Sequence, residues 1–98
     1  MKITTFHRLA SGELREAIHF YERQSPGLGN RFLAEVEAAV ELLHQFPEIG
    51  TRVVGPLRRV LVSGFPYDLV YRLTGRNQIR ILAVAHHRRE PGYWAGRR

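Results

Sequence analysis

The sequence predicts an α+β fold in the order β-αα-βββ, in which a helical hairpin packs on one face of a small, mostly antiparallel sheet. In the first half of the chain, apolar residues recur at the three- and four-residue spacing of amphipathic helices. In the second half they alternate with polar residues, which is typical of strands. A length of 98 residues and an apolar fraction of 44% fit one folded domain, so residues 1–98 are assigned to a single domain.

A short strand and then a helix are predicted for the first 24 residues. Residues 2–6 are rich in β-branched side chains and alternate weakly, which favours a strand. A helical pattern starts at about Leu9, and Ser11 is its candidate N-cap. The apolar stripe of this helix consists of Leu14, Ala17, Ile18 and Tyr21.

A second, longer helix follows a break at residues 25–27, and Pro26 is a candidate for its first residue. Pro47 ends this helix after Phe46, because proline has no backbone N–H to continue the helical hydrogen bonds. The two helices are joined by a short loop, which predicts an antiparallel hairpin. The apolar stripe of the second helix consists of Leu28, Phe32, Val36, Ala39, Val40 and Leu43.

Three strands are predicted after a loop that contains Gly50, Gly55 and Pro56. They cover residues 57–62, 67–73 and 78–86, where the apolar period changes to two. Turns at residues 63–66 and 74–77 connect them. Connections this short predict an antiparallel meander.

Neither a metal nor an organic cofactor is expected from the residue types and their spacing. The chain has no cysteine, which leaves no thiolate ligand and no disulfide. His86 and His87 are adjacent, so on a strand their rings point to opposite faces and do not chelate one ion. The sequence also has no HExxH motif and no phosphate-binding glycine loop.

No membrane role is expected. No apolar run approaches the roughly 20 residues that a transmembrane helix needs. The N-terminal residues also lack the apolar core of a signal peptide. A cytoplasmic location is therefore the expectation.

Positive charge is concentrated in the second half of the chain. The net charge is +6, and residues 57–98 hold nine arginines against Asp68 and Glu90, which is +7, whereas residues 1–56 sum to −1. Arginine accounts for 14 of the 15 basic residues. Its planar guanidinium suits two-pronged contacts with phosphate or carboxylate. The basic half is therefore expected to attract nucleic acid or an acidic partner.

The last predicted strand ends abruptly in a polar and aromatic cluster. After Ala85 the chain continues with two histidines, two arginines, a Pro-Gly turn and two aromatic residues. This order brings proton-transfer groups, anion-binding groups and stacking surfaces to one place. The candidate binding residues are Arg58, Arg59, Arg72, Arg80, His86, His87, Arg88, Arg89 and Trp94.

Strand alternation projects some of these arginines onto the sheet face opposite the helices, and no predicted element covers that face. An open, arginine-lined face suits a phosphate backbone or an acidic segment. The alternative is a solvated face on which the arginines pair with carboxylates. For Trp94, packing as part of a C-terminal lid is favoured over a role in binding.

These residues together resemble the RelE/ParE family of bacterial type II toxins, in its ParE-like, plasmid-stabilisation branch. The resemblance covers almost the whole chain and rests on the order and spacing of its parts. In the helical half the parts are Glu13-Leu14-Arg15-Glu16-Ala17, Phe20-Tyr21, Ser25-Pro26-Gly27-Leu28-Gly29, Arg31-Phe32 and Phe46-Pro47. In the strand half they are Arg59-Val60-Leu61-Val62, Phe65-Pro66-Tyr67, Val70-Tyr71-Arg72, and Ile81-Leu82-Ala83-Val84-Ala85-His86 followed by Arg88-Arg89.

The resemblance implies a small toxin that is held inactive by an antitoxin encoded beside it. RelE-like members cut messenger RNA on the ribosome, using basic side chains and often a tyrosine or histidine near the C-terminus. ParE-like members generally lack that catalytic set and poison DNA gyrase. The Phe65-Pro66-Tyr67 segment and the His86-His87-Arg88-Arg89 ending resemble the ParE-like branch, which favours a gyrase inhibitor over an enzyme. The expected antitoxin carries an acidic, amphipathic segment that folds on the basic surface.

Two alternatives remain open. A messenger-RNA endoribonuclease needs a base for the 2′-hydroxyl, an acid for the leaving oxygen and cations for the phosphorane charge. The candidates for these roles are Arg59, Arg80, His86, Arg89 and Tyr93. The lysines that some RNA-cutting members use are absent, since Lys2 is the only lysine. The other alternative is a non-toxic protein-interaction module.

Overall fold

A computed structural model describes residues 2–98 and has an α+β fold. The predicted order β-αα-βββ is confirmed, with one additional strand ahead of the last three. Neither helix is long and apolar enough to cross a membrane. The elements in chain order are β1 (Ile3–Phe6), α1 (Arg8–Gln24), α2 (Leu28–Gln45), β2 (Thr51–Val54), β3 (Leu57–Leu61), β4 (Tyr67–Gly75) and β5 (Gln78–His86).

The five strands form one mixed sheet in the spatial order β1-β5-β4-β3-β2. Strands β2 to β5 pair antiparallel with their chain neighbours, which confirms the predicted meander. Strand β1 pairs parallel with β5, and the helical hairpin carries the chain from β1 at one edge of the sheet to β2 at the other edge. Strand β5 packs against α1, so the loop after β5 starts beside this helix.

The prediction of a plain loop before residue 57 was wrong, because β2 lies there. Its β-branched residues pair with β3 through a tight turn at Gly55, where φ is +52°. The buried Tyr71 fixes the approach to this strand, since its hydroxyl donates to the Pro47 carbonyl at 2.7 Å and accepts from the Gly50 N–H at 3.0 Å. A four-residue edge strand carries too short an alternation to stand out in sequence.

The first helix starts within one residue of its prediction but has a different N-cap, and the second starts later than predicted. Helix α1 begins at Arg8, and its N-cap is His7, whose Nδ1 accepts from the Leu9 N–H at 3.0 Å, so Ser11 lies inside the first turn. Helix α2 begins at Leu28 and not at Pro26. The Glu22 carboxylate satisfies the free N–H groups of Gly27 and Gly29 there. The end of α2 agrees with the prediction, with Phe46 as the C-cap before Pro47.

The helices bury one face of the sheet and form the main core. Its largest fully buried side chains include Phe32 and Leu43 from α2 and Leu69, Tyr71 and Ile81 from the sheet. Burial of each such side chain stabilises the fold by about 1.5–3 kcal/mol. This core holds β5 against α1.

The opposite face of the sheet was predicted to be open, and this was wrong. A second, smaller core lies there, formed by Leu57, Val70, Leu82, Ala83, Ala85 and Trp94. Residues 87–97, called the C-terminal segment below, fold back over this face through a turn at Gly92, where φ is +82°. Trp94 thus packs as part of a lid, in agreement with the interpretation favoured from the sequence.

Candidate binding surface around the C-terminal segment

A groove of about 850 Å³, called the outer groove below, lies between the β2–β3 edge and the C-terminal segment. Apolar residues of the sheet form its floor, including Val70 and Ala85. Its rim is polar and basic. The predicted site residues that line it are Arg59, His86, His87, Arg89, Tyr93 and Trp94.

A second groove of about 770 Å³ runs along α1, beside the ends of β4 and β5, and is called the α1 groove. Arg15, His19 and Arg23 line its helical side, together with the half-exposed ring of Phe20. His86 and Arg89 border both grooves. The C-terminal segment therefore separates two grooves that share these basic residues.

Glu13 of α1 connects the helix to the C-terminal segment. Its carboxylate accepts two hydrogen bonds from the Arg97 guanidinium, both at 3.0 Å, and one from the Tyr93 hydroxyl at 2.9 Å. It also accepts from the Val84 N–H at 3.0 Å. Only 13% of the Glu13 side chain and 12% of the Arg97 side chain are exposed. The pair is thus largely desolvated, and its two-pronged geometry fixes the segment against α1.

Tyr93 is held between this carboxylate and two guanidinium groups. The Arg89 Cζ lies 3.8 Å from the centre of the Tyr93 ring, and the Arg97 Cζ lies 5.1 Å from it. Burial raises the pKa of Tyr93 above its usual value of 10, and the hydrogen bond to Glu13 raises it further. The hydroxyl donates to Glu13 and holds its proton tightly, which makes it a poor general acid.

His86 packs against Tyr67, with the ring centres 4.9 Å apart in an edge-to-face arrangement. Its Nδ1 accepts the Arg88 N–H at 2.9 Å. Burial lowers the pKa of His86 below its usual 6.5, and Arg88 and His87 lower it further, so the ring is neutral at pH 7. In the neutral ring the proton then lies on Nε2, because Nδ1 is the acceptor. Neither ring nitrogen offers a free lone pair to a substrate hydroxyl.

His87 has different partners from His86. Its Nε2 lies 3.1 Å from Asp68 Oδ1, and Arg59 Nη1 lies 4.0 Å from the other oxygen of the same carboxylate. About half of the Arg59 side chain is exposed. Asp68 therefore holds two basic side chains at the rim of the outer groove.

The other predicted arginines make no hydrogen bond or ion pair with Glu13 or Asp68 within residues 2–98. Arg58 donates to the backbone carbonyls of Glu48 and Gly50, both at 2.9 Å, and supports the loop before β2. Arg80 donates to the Thr5 hydroxyl at 3.1 Å, and Arg72 lies opposite Arg80 on the neighbouring strand. Arg88 is exposed beside the cluster.

Three residues that hold the site together were not predicted from the sequence, namely Glu13, Asp68 and Arg97. Glu13 had a detectable signal, because it lies three residues after Ala10 and four before Ala17, both buried on the same face of α1. An acidic residue on a buried helix face indicates a partner. Within residues 2–98, no three histidine or carboxylate side chains lie close enough to hold a metal ion.

A family model described as "ParE toxin of type II toxin-antitoxin system, parDE" matches residues 5–91. Among solved structures, the chain is similar to one titled "Chromosomal ParDE TA system from P. aeruginosa", with a TM-score of 0.73 and 20% sequence identity. The match covers 88% of this chain and 96% of that chain, and at this identity it concerns the fold. Among curated proteins, no sequence matches the chain.

Proposed function

Because the chain belongs to the ParE family of type II toxin–antitoxin toxins, we propose that it stops growth by binding and poisoning DNA gyrase. Its site of action is then the cytoplasm, where a cognate antitoxin neutralises it. The supporting observation is the state of the proton-transfer groups around the C-terminal segment. The Tyr93 hydroxyl is committed to Glu13, and the backbone N–H of Arg88 occupies His86 Nδ1. These two engaged groups favour a role in binding over a role in proton transfer for this surface.

The exposed arginines supply that binding chemistry. Arg59 and Arg89 keep about half of their side chains exposed at the rim of the outer groove. Arg88 is exposed beside them. Guanidinium groups on an apolar floor suit a protein partner that brings carboxylates and an apolar anchor. An RNA-cutting site needs in addition a base and an acid, and at two of the candidates, His86 and Tyr93, the Nδ1 lone pair and the hydroxyl proton are already engaged.

Replacing His86 with glutamine is expected to leave toxicity largely intact, because glutamine keeps hydrogen bonding without being an efficient base. Replacing Arg89 with alanine is expected to weaken toxicity, since losing one partner of a charge-assisted contact costs roughly 2–5 kcal/mol if that contact is buried in the complex. The measurement is growth after induction without antitoxin, with DNA breaks and cleaved transcripts assayed in the same cells. Arg76→Ala is the matched control, because Arg76 is exposed in the β4–β5 turn, away from both grooves.

If the chain is instead a ribonuclease, the expected effects of these variants on toxicity are reversed. Loss of a general base lowers the rate by ~10²–10⁴, so His86→Gln would abolish killing and transcript cleavage. That outcome, in a variant that still binds antitoxin, would count against gyrase poisoning. Normal growth of cells that express the wild-type chain without antitoxin would instead favour a non-toxic interaction module.

The antitoxin is expected to bind through an acidic, amphipathic segment that folds on the basic surface of the toxin. The charge of +7 over residues 57–98 and the apolar floor of the outer groove both favour such a segment. Added salt should slow association more than it speeds dissociation. The two proteins should co-elute in gel filtration at moderate salt, and separate elution would contradict this partner.

A further inference from the structure

Arg89 is held in place without using its hydrogen-bond donors. Its guanidinium lies 3.8 Å over the Tyr93 ring, and its Nη1 is 3.9 Å from Glu13 Oε2, an ion-pair distance too long for a hydrogen bond. Within the part of the chain that the structure describes, this guanidinium makes no hydrogen bond. Its five N–H groups are therefore oriented but unused.

The orientation traces back to one residue, Glu13. Its carboxylate fixes the Tyr93 hydroxyl, and the ring so fixed is the surface on which the Arg89 guanidinium stacks. The same carboxylate attracts that guanidinium directly. A free arginine side chain has large rotamer freedom that must be lost on binding, and stacking plus charge removes part of it in advance.

We propose that Glu13 is a positioning residue, which through Tyr93 presents the Arg89 guanidinium at the junction of the two grooves to a carboxylate of the protein target. This inference rests on the proposed function. A carboxylate is favoured because its two oxygens match the guanidinium fork. Arg15 and Arg23 add positive charge along the α1 groove, and neither makes an ion pair within residues 2–98.

A double-mutant cycle tests this route. Glu13→Gln, Arg89→Ala and the double variant are compared with wild type for affinity to purified gyrase without DNA and for growth inhibition. Glu13→Gln alone should weaken binding by about tenfold, within the range of couplings measured between contacting side chains. In the Arg89→Ala background the same change should have almost no further effect. Glu37→Gln is the matched control, because Glu37 is exposed on α2 and makes no ion pair within residues 2–98.

The cycle separates positioning from general support of the fold. A structural loss would weaken binding equally in both backgrounds, and that additivity would overturn the proposal, as would an unaffected Glu13→Gln. If Glu13→Gln fails to fold, Tyr93→Phe replaces it in the cycle, since it keeps the ring and the Glu13–Arg97 pair and removes only the hydroxyl contact.

The two proposals fail in different ways. Toxin that inhibits growth without binding gyrase would overturn the gyrase target, and the growth-inhibition cycle would still decide the role of Glu13. An Arg89 effect that requires DNA in the assay would overturn the carboxylate assignment in favour of a phosphate. Wild-type toxin that neither binds gyrase nor inhibits growth would overturn both.

Discussion

Replacing Trp94 with alanine is expected to lower the free energy of unfolding by about 3–5 kcal/mol, the usual loss for a large buried aromatic side chain. Only 9% of Trp94 is exposed, and it packs on Leu57, Val70 and Leu82 in the second core. Its removal takes most of the aromatic area from a core of six buried residues. The measurement is equilibrium urea unfolding followed by circular dichroism.

Trp94→Phe is the matched control, because it keeps an aromatic ring in the second core and should cost less than the alanine variant. A loss below about 1 kcal/mol for Trp94→Ala would show that the second core adds little to stability. The same variants also separate packing from binding. A Trp94→Phe toxin that is stable but no longer toxic would support the predicted contact of Trp94 with the target.

Replacing Arg97 with alanine is expected to lower the free energy of unfolding by about 3 kcal/mol, because it leaves the Glu13 carboxylate largely buried without its main partner. Arg97 supplies both 3.0 Å hydrogen bonds of the pair and a third, also at 3.0 Å, to the Leu82 carbonyl. Tyr93 and the Val84 N–H still donate to Glu13, which keeps the loss at the lower end of the range for broken buried pairs. Thermal and urea unfolding measure it.

Lys2→Ala is the control for a surface ion pair. Lys2 lies 3.6 Å from Glu41, with more than half of each side chain exposed. Such pairs contribute about 0–1 kcal/mol, and salt screens them. The Arg97 effect should persist at high salt, because its pair is desolvated. Equal losses for the two variants, or a loss for Arg97→Ala that disappears in salt, would contradict the role assigned to the Glu13–Arg97 pair.

The sequence located the regular elements because their signals are local. The stripe from Leu28 to Leu43 and the alternation after residue 57 each repeat several times within one element, so α2 and the last three strands were predicted within a few residues. The four residues of β2 repeat too little to be recognised. The start of α2 was misplaced, because its free N–H groups are satisfied by Glu22 of the preceding helix.

The sequence by itself determined the fold class, the family and the collection of basic and aromatic residues at the end of β5. Only the tertiary structure decided which of them act together. In the folded chain Arg58 and Arg80 make hydrogen bonds that support the fold, and Trp94 covers the outer face of the sheet. Glu13 contacts Tyr93 and Arg97, which are distant from it in the sequence. Periodicity records which face of an element is buried, whereas a polar contact between distant residues leaves no repeating trace. The contacts of the site therefore could not be predicted from the sequence, because they form only when the end of β5 packs beside α1.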